Sequence, residues 1–171
     1  SVDAYLLGKL TPWCAPILLD ANYNGGDYYG RAEPTQGLTQ AIRMLGLDSI
    51  HPDGVRKMFA RRWASRELDP HASLEHRYAI DRTLDHMSLE KAKLADANSF
   101  RYIARAVQLF SVEERLDRLK APVLFLPART DLIMPPIISE TAAARLRERG
   151  LEAEVFVIEG EGGHLDGLLN I

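Results

Sequence analysis

The pattern that most constrains the fold of this chain is a strand, a helix and a second strand between residues 123 and 158. The run Val123-Leu124-Phe125-Leu126 is apolar and bracketed by prolines, which is typical of a strand buried on both faces. Good helix formers predict an amphipathic helix from Ile137 to Arg149, and residues 153–158 alternate as a second strand. Because such a crossover is almost always right-handed, the pattern predicts one βαβ unit with a parallel sheet.

Before residue 121 the apolar positions recur at helical spacing instead. The predicted helices are Gln36–Leu45, Pro52–Trp63, Leu74–Leu94 and Asn98–Phe110. Turn-forming residues at 22–27 predict an irregular loop. We therefore expect three parts: a lead-in from a missing N-terminal core at 1–20, a helical lid at 21–115, and the βαβ part at 116–171.

Composition excludes several classes of partner. The net charge is -3, from 21 Lys and Arg against 24 Asp and Glu, so no basic excess is available for nucleic acid or an anionic membrane surface. No apolar run reaches the roughly 20 residues of a membrane-spanning helix. Because Cys14 is the only cysteine and no signal-peptide layout is present, we expect a cytoplasmic protein. The chain starts at Ser1 and stops at Ile171 inside a predicted helix, so we expect both ends to be cut from a longer chain.

Two residues able to carry chemistry follow the two predicted strands. Asp131 comes five residues after the first strand, and His164 follows the second strand across a glycine-rich loop. Ligands of open α/β sheets bind at the carboxyl edge of the strands, where both residues would lie. A histidine takes a proton from a serine hydroxyl in acyl transfer, and a buried carboxylate fixes its tautomer. The order acid, then histidine, with a serine earlier in the chain is that of α/β-hydrolases.

Each residue also has a structural interpretation. An Asp after a strand is often a helix N-cap, and a His beside glycines is often a loop residue. The remaining histidines show no metal-ligand spacing, since His71 and His76 are five apart and His51 and His86 are isolated. We therefore expect no metal site.

The nucleophile of such an enzyme is not evident in this sequence. No Gly-x-Ser-x-Gly motif occurs, and no serine is predicted on a strand-to-helix turn flanked by glycines. Ser1 as an N-terminal nucleophile and Cys14 as a thiol nucleophile are conceivable, although no flanking feature supports either. We expect the nucleophilic serine to lie upstream of this chain.

Several motifs together resemble one family. Residues 16–29 read Pro-Ile-Leu-Leu-Asp-Ala-Asn-Tyr-Asn-Gly-Gly-Asp-Tyr-Tyr, and Pro34, Gly37-Leu38 and Ala41 follow. This stretch resembles the lid entry of homoserine O-acetyltransferases. Asp131 with Pro135-Pro136, and Gly163-His164, resemble that family's Asp and His motifs.

The resemblance implies an α/β-hydrolase fold, with this chain contributing the C-terminal part of the parallel sheet and a helical lid. It also implies ping-pong acyl transfer through a serine acyl-enzyme, without metal or bound cofactor. Acetyl-CoA would be the acyl donor in a transferase. Expected partners are an N-terminal part carrying the serine, a small ester or alcohol substrate, and a second copy bound through the lid.

The resemblance also suggests substrate-binding residues. Tyr23, Tyr28 and Tyr29 would line the acyl or acceptor pocket, or else pack the lid onto the body. Asn98 and Phe100 resemble a family segment near the pocket, or else are an N-cap followed by a core aromatic.

Two departures from the family bear on specificity. Cys14 stands where the family has an arginine that holds the substrate carboxylate, and a thiol cannot form that bidentate pair. Leu165 follows His164 where the family has Asp, and the acid comes one place later at Asp166, as a supporting residue or a helix cap. Both positions were expected at the substrate site, and their change favours an esterase.

Three hypotheses follow. The chain is part of an enzyme that hydrolyses short acyl esters, part of an acetyltransferase acting on homoserine or another alcohol, or a non-catalytic lid-and-scaffold module. A Gly-x-Ser-x-Gly motif encoded upstream would separate the first two from the third.

Overall fold

The computed structural model describes residues 2–169, excluding the side chain of Leu169. Residues 1, 170 and 171 lie outside this range, and so does the expectation about Ser1 as a nucleophile. The elements are α1 (Ala4–Leu19), a 3₁₀ segment (Ala21–Gly26), α2 (Thr35–Asp48), α3 (Pro52–Phe59), α4 (Ala79–Ala92), α5 (Ala97–Leu109), a 3₁₀ segment (Glu113–Arg118), β1 (Val123–Phe125), α6 (Pro136–Arg147), β2 (Ala153–Val155), a 3₁₀ turn (Gly163–Leu165) and α7 (Asp166–Leu169). Across the described range, every helix falls short of the length and apolarity needed to cross a bilayer.

The chain forms two compact units. The helical unit comprises Lys9–Leu47 and Val55–Arg105. The sheet unit comprises the chain up to Gly8, Asp48–Gly54, and the chain from Ala106 onward. The sheet unit thus includes a short segment, Asp48–Gly54, that the sequence analysis had placed among the helices of the lid.

The predicted βαβ unit is present in the sheet unit. β1 and β2 pair in parallel, with Val123 opposite Ala153 and Phe125 opposite Val155. An isolated parallel bridge between Ala128 and Ile158 continues the pairing beyond both strands. Between the strands, α6 buries an apolar face against the sheet and its flanking loops, with a core of Ala143, Leu146 and Ala153 and partly buried Leu116, Leu119, Val123, Phe125, Leu151 and Val155.

One prediction about β1 is wrong for the described chain. The run at 123–126 was expected to be buried on both faces, yet Leu124 is 57% exposed and Leu126 is 42% exposed. Within residues 2–169, β1 has a strand partner along one edge, and α6 covers one face of the pair. Apolar side chains on the other face therefore remain in contact with solvent.

The helical unit has its own core, and a glycine lets two of its helices meet closely. The core residues are Ile17, Tyr23, Tyr28, Leu38, Ala41, Ala92 and Ala97, with Ile42 and Phe100 packed against them. A β-carbon at Gly37, in the first turn of α2, would lie 2.5 Å from the Pro16 carbonyl oxygen of α1. The Gly37 amide also donates to Asp20 Oδ2 at 2.7 Å. Close packing thus explains why this position is a glycine.

Helix α1 was not predicted from the sequence. Pro12 and Pro16 lie inside it, and proline inside a helix removes a hydrogen bond and is read as a break. Its buried residues, Leu6, Leu10, Trp13 and Ile17, nevertheless recur every three or four positions. Burial of this apolar stripe offsets the cost of the two prolines.

Two other helices are shorter than predicted. α3 ends at Phe59 rather than Trp63, because Ala60 adopts a positive φ of 48°. α4 begins at Ala79 rather than Leu74, because Trp63 and Tyr78 form an antiparallel bridge that holds this stretch extended. Helical spacing of apolar residues continued across both boundaries, so it did not reveal this local pairing.

Candidate functional site

The structure brings Asp131 and His164 into contact, as the sequence analysis expected. His164 Nδ1 lies 2.7 Å from Asp131 Oδ2. Each residue follows one strand of the parallel pair, beyond the bridge between Ala128 and Ile158. The Asp131 side chain is 6% exposed, whereas that of His164 is 38% exposed. The pair therefore consists of a buried carboxylate and a solvent-accessible imidazole at the carboxyl edge of the sheet.

The two carboxylate oxygens of Asp131 have different partners, and Asp131 does not cap α6, because Pro135 occupies the N-cap position. Oδ1 accepts hydrogen bonds from the amides of Ile133 at 2.8 Å and Met134 at 2.9 Å, which orders the turn before α6. Oδ2 is thereby directed at His164. With the carboxylate ionised, Nδ1 carries the proton and Nε2 is left to accept one, which is the tautomer required of a general base.

The contact shifts the titration of both groups. The hydrogen bond that His164 donates to Asp131 raises the pKa of His164, while burial opposes the change and the negative charge of Asp131 adds to it. For Asp131, burial by itself would raise the pKa. The hydrogen bonds from His164 and from the amides of Met134 and Ile133 outweigh burial, so the pKa is lowered. The two shifts stabilise the charged pair.

These shifts predict the pH dependence of the pair. In an NMR titration of His164, we expect a pKa above 6.5, and we expect Asp131→Asn to bring it down because the carboxylate is lost. The stability contributed through His164 should be complete below pH 6.5 and lost as pH rises through the folded-state pKa. That contributed through Asp131 should be present above pH 3.8 and lost as pH falls through its lowered pKa. An unchanged His164 titration in the Asp131→Asn protein would contradict this prediction.

Asp166 supports the loop that carries His164. Its buried carboxylate accepts a hydrogen bond from the Gly162 amide at 2.7 Å. A β-carbon at Gly160 would lie 2.5 Å from Asp166 Cγ, and one at Gly162 would lie 2.6 Å from Asp166 Oδ1. The glycines therefore leave room for the carboxylate. Of the two interpretations of Asp166, this geometry favours the supporting residue.

We predict that Gly160→Ala destabilises the protein by about 1 to 3 kcal/mol, because the added methyl group displaces the Asp166 carboxylate from the Gly162 amide. Gly46→Ala is the matched control, since a β-carbon at this position in α2 has no heavy atom within 4 Å. It should be neutral or stabilising, because alanine favours a helix. Denaturant unfolding measures both, and equal stability of the two variants would be inconsistent with the proposed crowding.

A cavity of about 260 Å³ lies beside the Asp131–His164 pair in the sheet unit. Besides these two residues, its lining includes Leu126, Met134, Ser139 and Gly167. Leu165 and Asp166, which were expected at the substrate site, are not among the residues that line it. Ser139, which lies in α6, was given no role from the sequence, although it lines this cavity.

The described residues contain no group of three or more His, Cys, Asp or Glu side chains suited to a metal ion.

The three tyrosines expected at the substrate site belong to the helical unit, where two of them are core residues. Tyr23 is 4% exposed and Tyr28 is 2% exposed, whereas Tyr29 is 65% exposed. The Tyr23 hydroxyl donates to Asn98 Oδ1 at 3.0 Å. This burial favours packing for Tyr23 and Tyr28, and leaves Tyr29 as the tyrosine accessible to a ligand.

Asp96, which the sequence analysis had not singled out, organises this cluster. Its carboxylate accepts hydrogen bonds from the hydroxyls of Tyr28 and Tyr29 and from the Ser99 amide. Asp96 is therefore the N-cap of α5. An N-cap was one of the two interpretations of Asn98 from the sequence. Asn98 instead donates to the Gly26 carbonyl at 2.9 Å, and thus ties α5 to the 3₁₀ segment.

Cys14 is not prepared to act as a nucleophile. Burial raises the pKa of its thiol, and the nearby Arg101 guanidinium opposes this shift only in part. Arg101 is held by Tyr23, since it donates to the tyrosine hydroxyl and its guanidinium carbon lies 5.1 Å from the ring centroid. The sequence position that lacks the family's arginine is thus close to an arginine from α5, 87 positions later in the chain. Only folding reveals this proximity.

Comparisons with known proteins identify relatives of the chain. No family model matches the chain. It is 30% identical over 156 residues to the homoserine O-acetyltransferase of Symbiobacterium thermophilum, a match covering 86% of this chain and 40% of that protein. The homoserine O-acetyltransferase of Geobacter sulfurreducens is 28% identical over 171 residues, covering 96% of this chain and 45% of that protein.

Two solved structures are similar in fold. Esterase E22 superposes with a TM-score of 0.86 at 29% identity, covering 98% of this chain and 48% of the esterase. The homoserine O-acetyltransferase of Bacillus anthracis superposes with a TM-score of 0.85 at 26% identity, covering 99% of this chain and 47% of that enzyme. The chain therefore spans about half the length of the proteins that it resembles.

Proposed function

Because the chain is a homologue of the homoserine O-acetyltransferases and has the fold of α/β-hydrolases, we propose that it supplies the acid and the base of a serine-dependent acyl-transfer enzyme. Asp131 is the acid and His164 is the base. The observation that carries the proposal is the 2.7 Å contact between them at the carboxyl edge of two parallel strands, beside a cavity. If His164 were only a loop residue and Asp131 only a helix cap, nothing would require the two side chains to form a hydrogen bond.

The geometry fits a two-step reaction. His164 Nε2 takes the proton of the serine hydroxyl as the serine oxygen attacks the acyl carbonyl, and the ionised Asp131 stabilises the imidazolium that forms. The leaving alcohol departs with that proton, which leaves an acyl-enzyme. In the second step Nε2 takes a proton from water or an acceptor alcohol, whose oxygen attacks the acyl carbonyl. The bond between the acyl group and the serine then breaks, and the serine oxygen takes the proton back from Nε2. Neither step of this reaction needs a metal ion.

The serine and the rest of the sheet would come from a part of the protein outside this chain, located before it in the gene. The relatives are about twice as long as this chain. Exposed apolar side chains on the sheet unit, including Leu124, Leu126 and Phe156, would be covered by that part. The helical unit would serve as the lid. Covering this surface would also complete the burial predicted for β1.

We propose hydrolysis of short acyl esters as the main reaction. Cys14 stands where a homoserine enzyme is expected to have an arginine, and burial raises the pKa of the Cys14 thiol, which keeps it neutral. A neutral thiol does not bind a carboxylate as a guanidinium does. Water, which needs no such anchor, is then the simplest acceptor.

One observation favours transfer as a second candidate. The Arg101 guanidinium lies close enough to Cys14 to oppose the rise of its pKa, and Tyr23 orients it. A guanidinium that pairs with a carboxylate is the chemistry by which a transferase would recognise an amino-alcohol acceptor such as homoserine, with acetyl-CoA as the donor.

The test uses the complete enzyme, meaning this chain together with the proposed serine-bearing part. We expect it to cleave a chromogenic acetate ester without any acceptor alcohol, and we expect this chain alone to show no cleavage. Thiol release from acetyl-CoA only when homoserine is present would support transfer instead. If neither reaction occurs and no serine motif is encoded upstream, the chain is a non-catalytic module and the proposal fails.

A further inference from the structure

The loop before His164 is held by three successive backbone amides. Each donates a hydrogen bond to a different segment of the sheet unit: Gly162 to Asp166 Oδ2 at 2.7 Å, Gly163 to Thr130 Oγ1 at 3.1 Å and His164 to the Ser49 carbonyl at 2.9 Å. Three consecutive amides with three separate acceptors fix both the position and the direction of the loop.

Thr130 holds this loop at two points. Its hydroxyl donates to the Gly160 carbonyl at 3.1 Å and accepts from the Gly163 amide at 3.1 Å. The hydroxyl therefore uses its donor and its acceptor capacity on the same loop. Valine has nearly the same shape as threonine but no hydroxyl, so Thr130→Val removes both hydrogen bonds with little change in side-chain volume.

Thr130 differs from the other two acceptors in its place in the chain. It directly precedes Asp131, and Gly163 directly precedes His164. The two loops are thus joined twice, once by the backbone-to-hydroxyl bond and once by the 2.7 Å bond between the side chains. Asp166 lies on the same segment as His164, and Ser49 lies in a separate segment, so neither bond joins the histidine loop to the loop of the acid.

The surroundings of Gly163 limit how the loop can relax. Gly163 has a φ of +74°, and a β-carbon there would lie 2.6 Å from the His51 amide nitrogen and 2.8 Å from the Ser49 carbonyl oxygen. Backbone therefore blocks the loop on that side. Loss of the Thr130 bonds would let the loop move toward solvent, away from Asp131.

We propose that Thr130 is a positioning residue, whose hydroxyl sets the distance between the Asp131 carboxylate and the His164 imidazole. This inference rests on the proposed function, in which that pair is the acid and base. Thr130 is not among the residues that line the cavity, so it acts through His164 and not on the substrate. Its removal should lower kcat and leave KM nearly unchanged.

The experiment compares Thr130→Val, Thr130→Ser and Thr141→Val in the complete enzyme. Thr130→Val should lower kcat for the acetate ester roughly 10- to 100-fold, the range expected when a catalytic group is displaced by about 1 Å. Thr130→Ser keeps the hydroxyl and should restore most of kcat. Thr141→Val is the matched control, because Thr141 is an exposed threonine of α6, and should behave as the unchanged enzyme.

A second measurement separates this inference from the proposed function. In the same three proteins, NMR follows the Nδ1 proton of His164 that is shared with Asp131, and the pKa of His164. Thr130→Val should weaken the low-field signal of this proton and move the pKa toward 6.5, and Thr130→Ser should retain both. This result supports the inference even if the enzyme shows no esterase activity. Should Thr130→Val not fold, Thr130→Ala is read in the same way.

Unchanged kcat and an unchanged His164 titration in Thr130→Val would overturn the inference. A loss of kcat in Thr130→Val that Thr130→Ser fails to recover would also overturn it, because the hydroxyl would then not be the group responsible.

Discussion

Replacing His164 by alanine is expected to lower kcat for ester cleavage by the complete enzyme by about 10³- to 10⁶-fold, the range found when members of catalytic triads are removed. The imidazole is the proposed group that moves the proton between serine, leaving alcohol and water. Without it the serine hydroxyl remains protonated and is a weak nucleophile. Steady-state kinetics with the chromogenic acetate ester measure the loss.

The fold should survive this change. The His164 side chain is partly exposed, and Asp131 keeps its bonds from the Ile133 and Met134 amides. His86→Ala provides the control, because His86 is an exposed histidine of α4 in the helical unit. Activity of the His164→Ala enzyme within tenfold of the control would remove His164 as the base.

Replacing Asp131 by asparagine is expected to lower kcat by about 10⁴-fold, because it reverses the tautomer of the histidine. The asparagine Oδ1 can still accept from the Ile133 and Met134 amides, so the turn before α6 is kept. Its Nδ2 then takes the place of Oδ2 opposite His164 Nδ1. Since a donor now faces Nδ1, the ring proton moves to Nε2, which can no longer accept the proton of the serine.

The measurement for Asp131→Asn combines kinetics with protein unfolding. We expect a large loss of kcat with a small change in the free energy of unfolding, because the substitution is nearly isosteric. Asp81→Asn, on α4 of the helical unit, is the control for a change of carboxylate to amide at a site with an ion-pair partner, Arg43. If Asp131→Asn keeps more than a tenth of kcat, the carboxylate is not orienting the base and the proposed mechanism is wrong.

Local patterns in the sequence allowed the sheet and the site pair to be predicted. An apolar run between prolines predicted β1, and an amphipathic stretch ending at Gly150 predicted α6. Since parallel strands place their carboxyl ends at one edge, the positions of Asp131 and His164 after the strands were enough to predict their contact.

Features that depend on distant partners were missed. Helix α1 contains two prolines and forms because its apolar stripe is buried. For Tyr23 and Tyr28 the sequence left a pocket role and a packing role open, and both rings are in the core of the helical unit. Asp96 caps α5 and bonds to tyrosines 67 and 68 positions away, for which the sequence carries no local signal.

The βαβ unit and the pairing of Asp131 with His164 follow from local properties of the chain, namely the direction of the strands and the residues that come after them. The distant contacts that hold the His164 loop, with Thr130 and the Ser49 carbonyl, exist only in the folded chain. Hydrogen bonds of this kind join positions as far as 115 residues apart. Their formation depends on which surfaces pack together, and no periodicity along the chain encodes that choice.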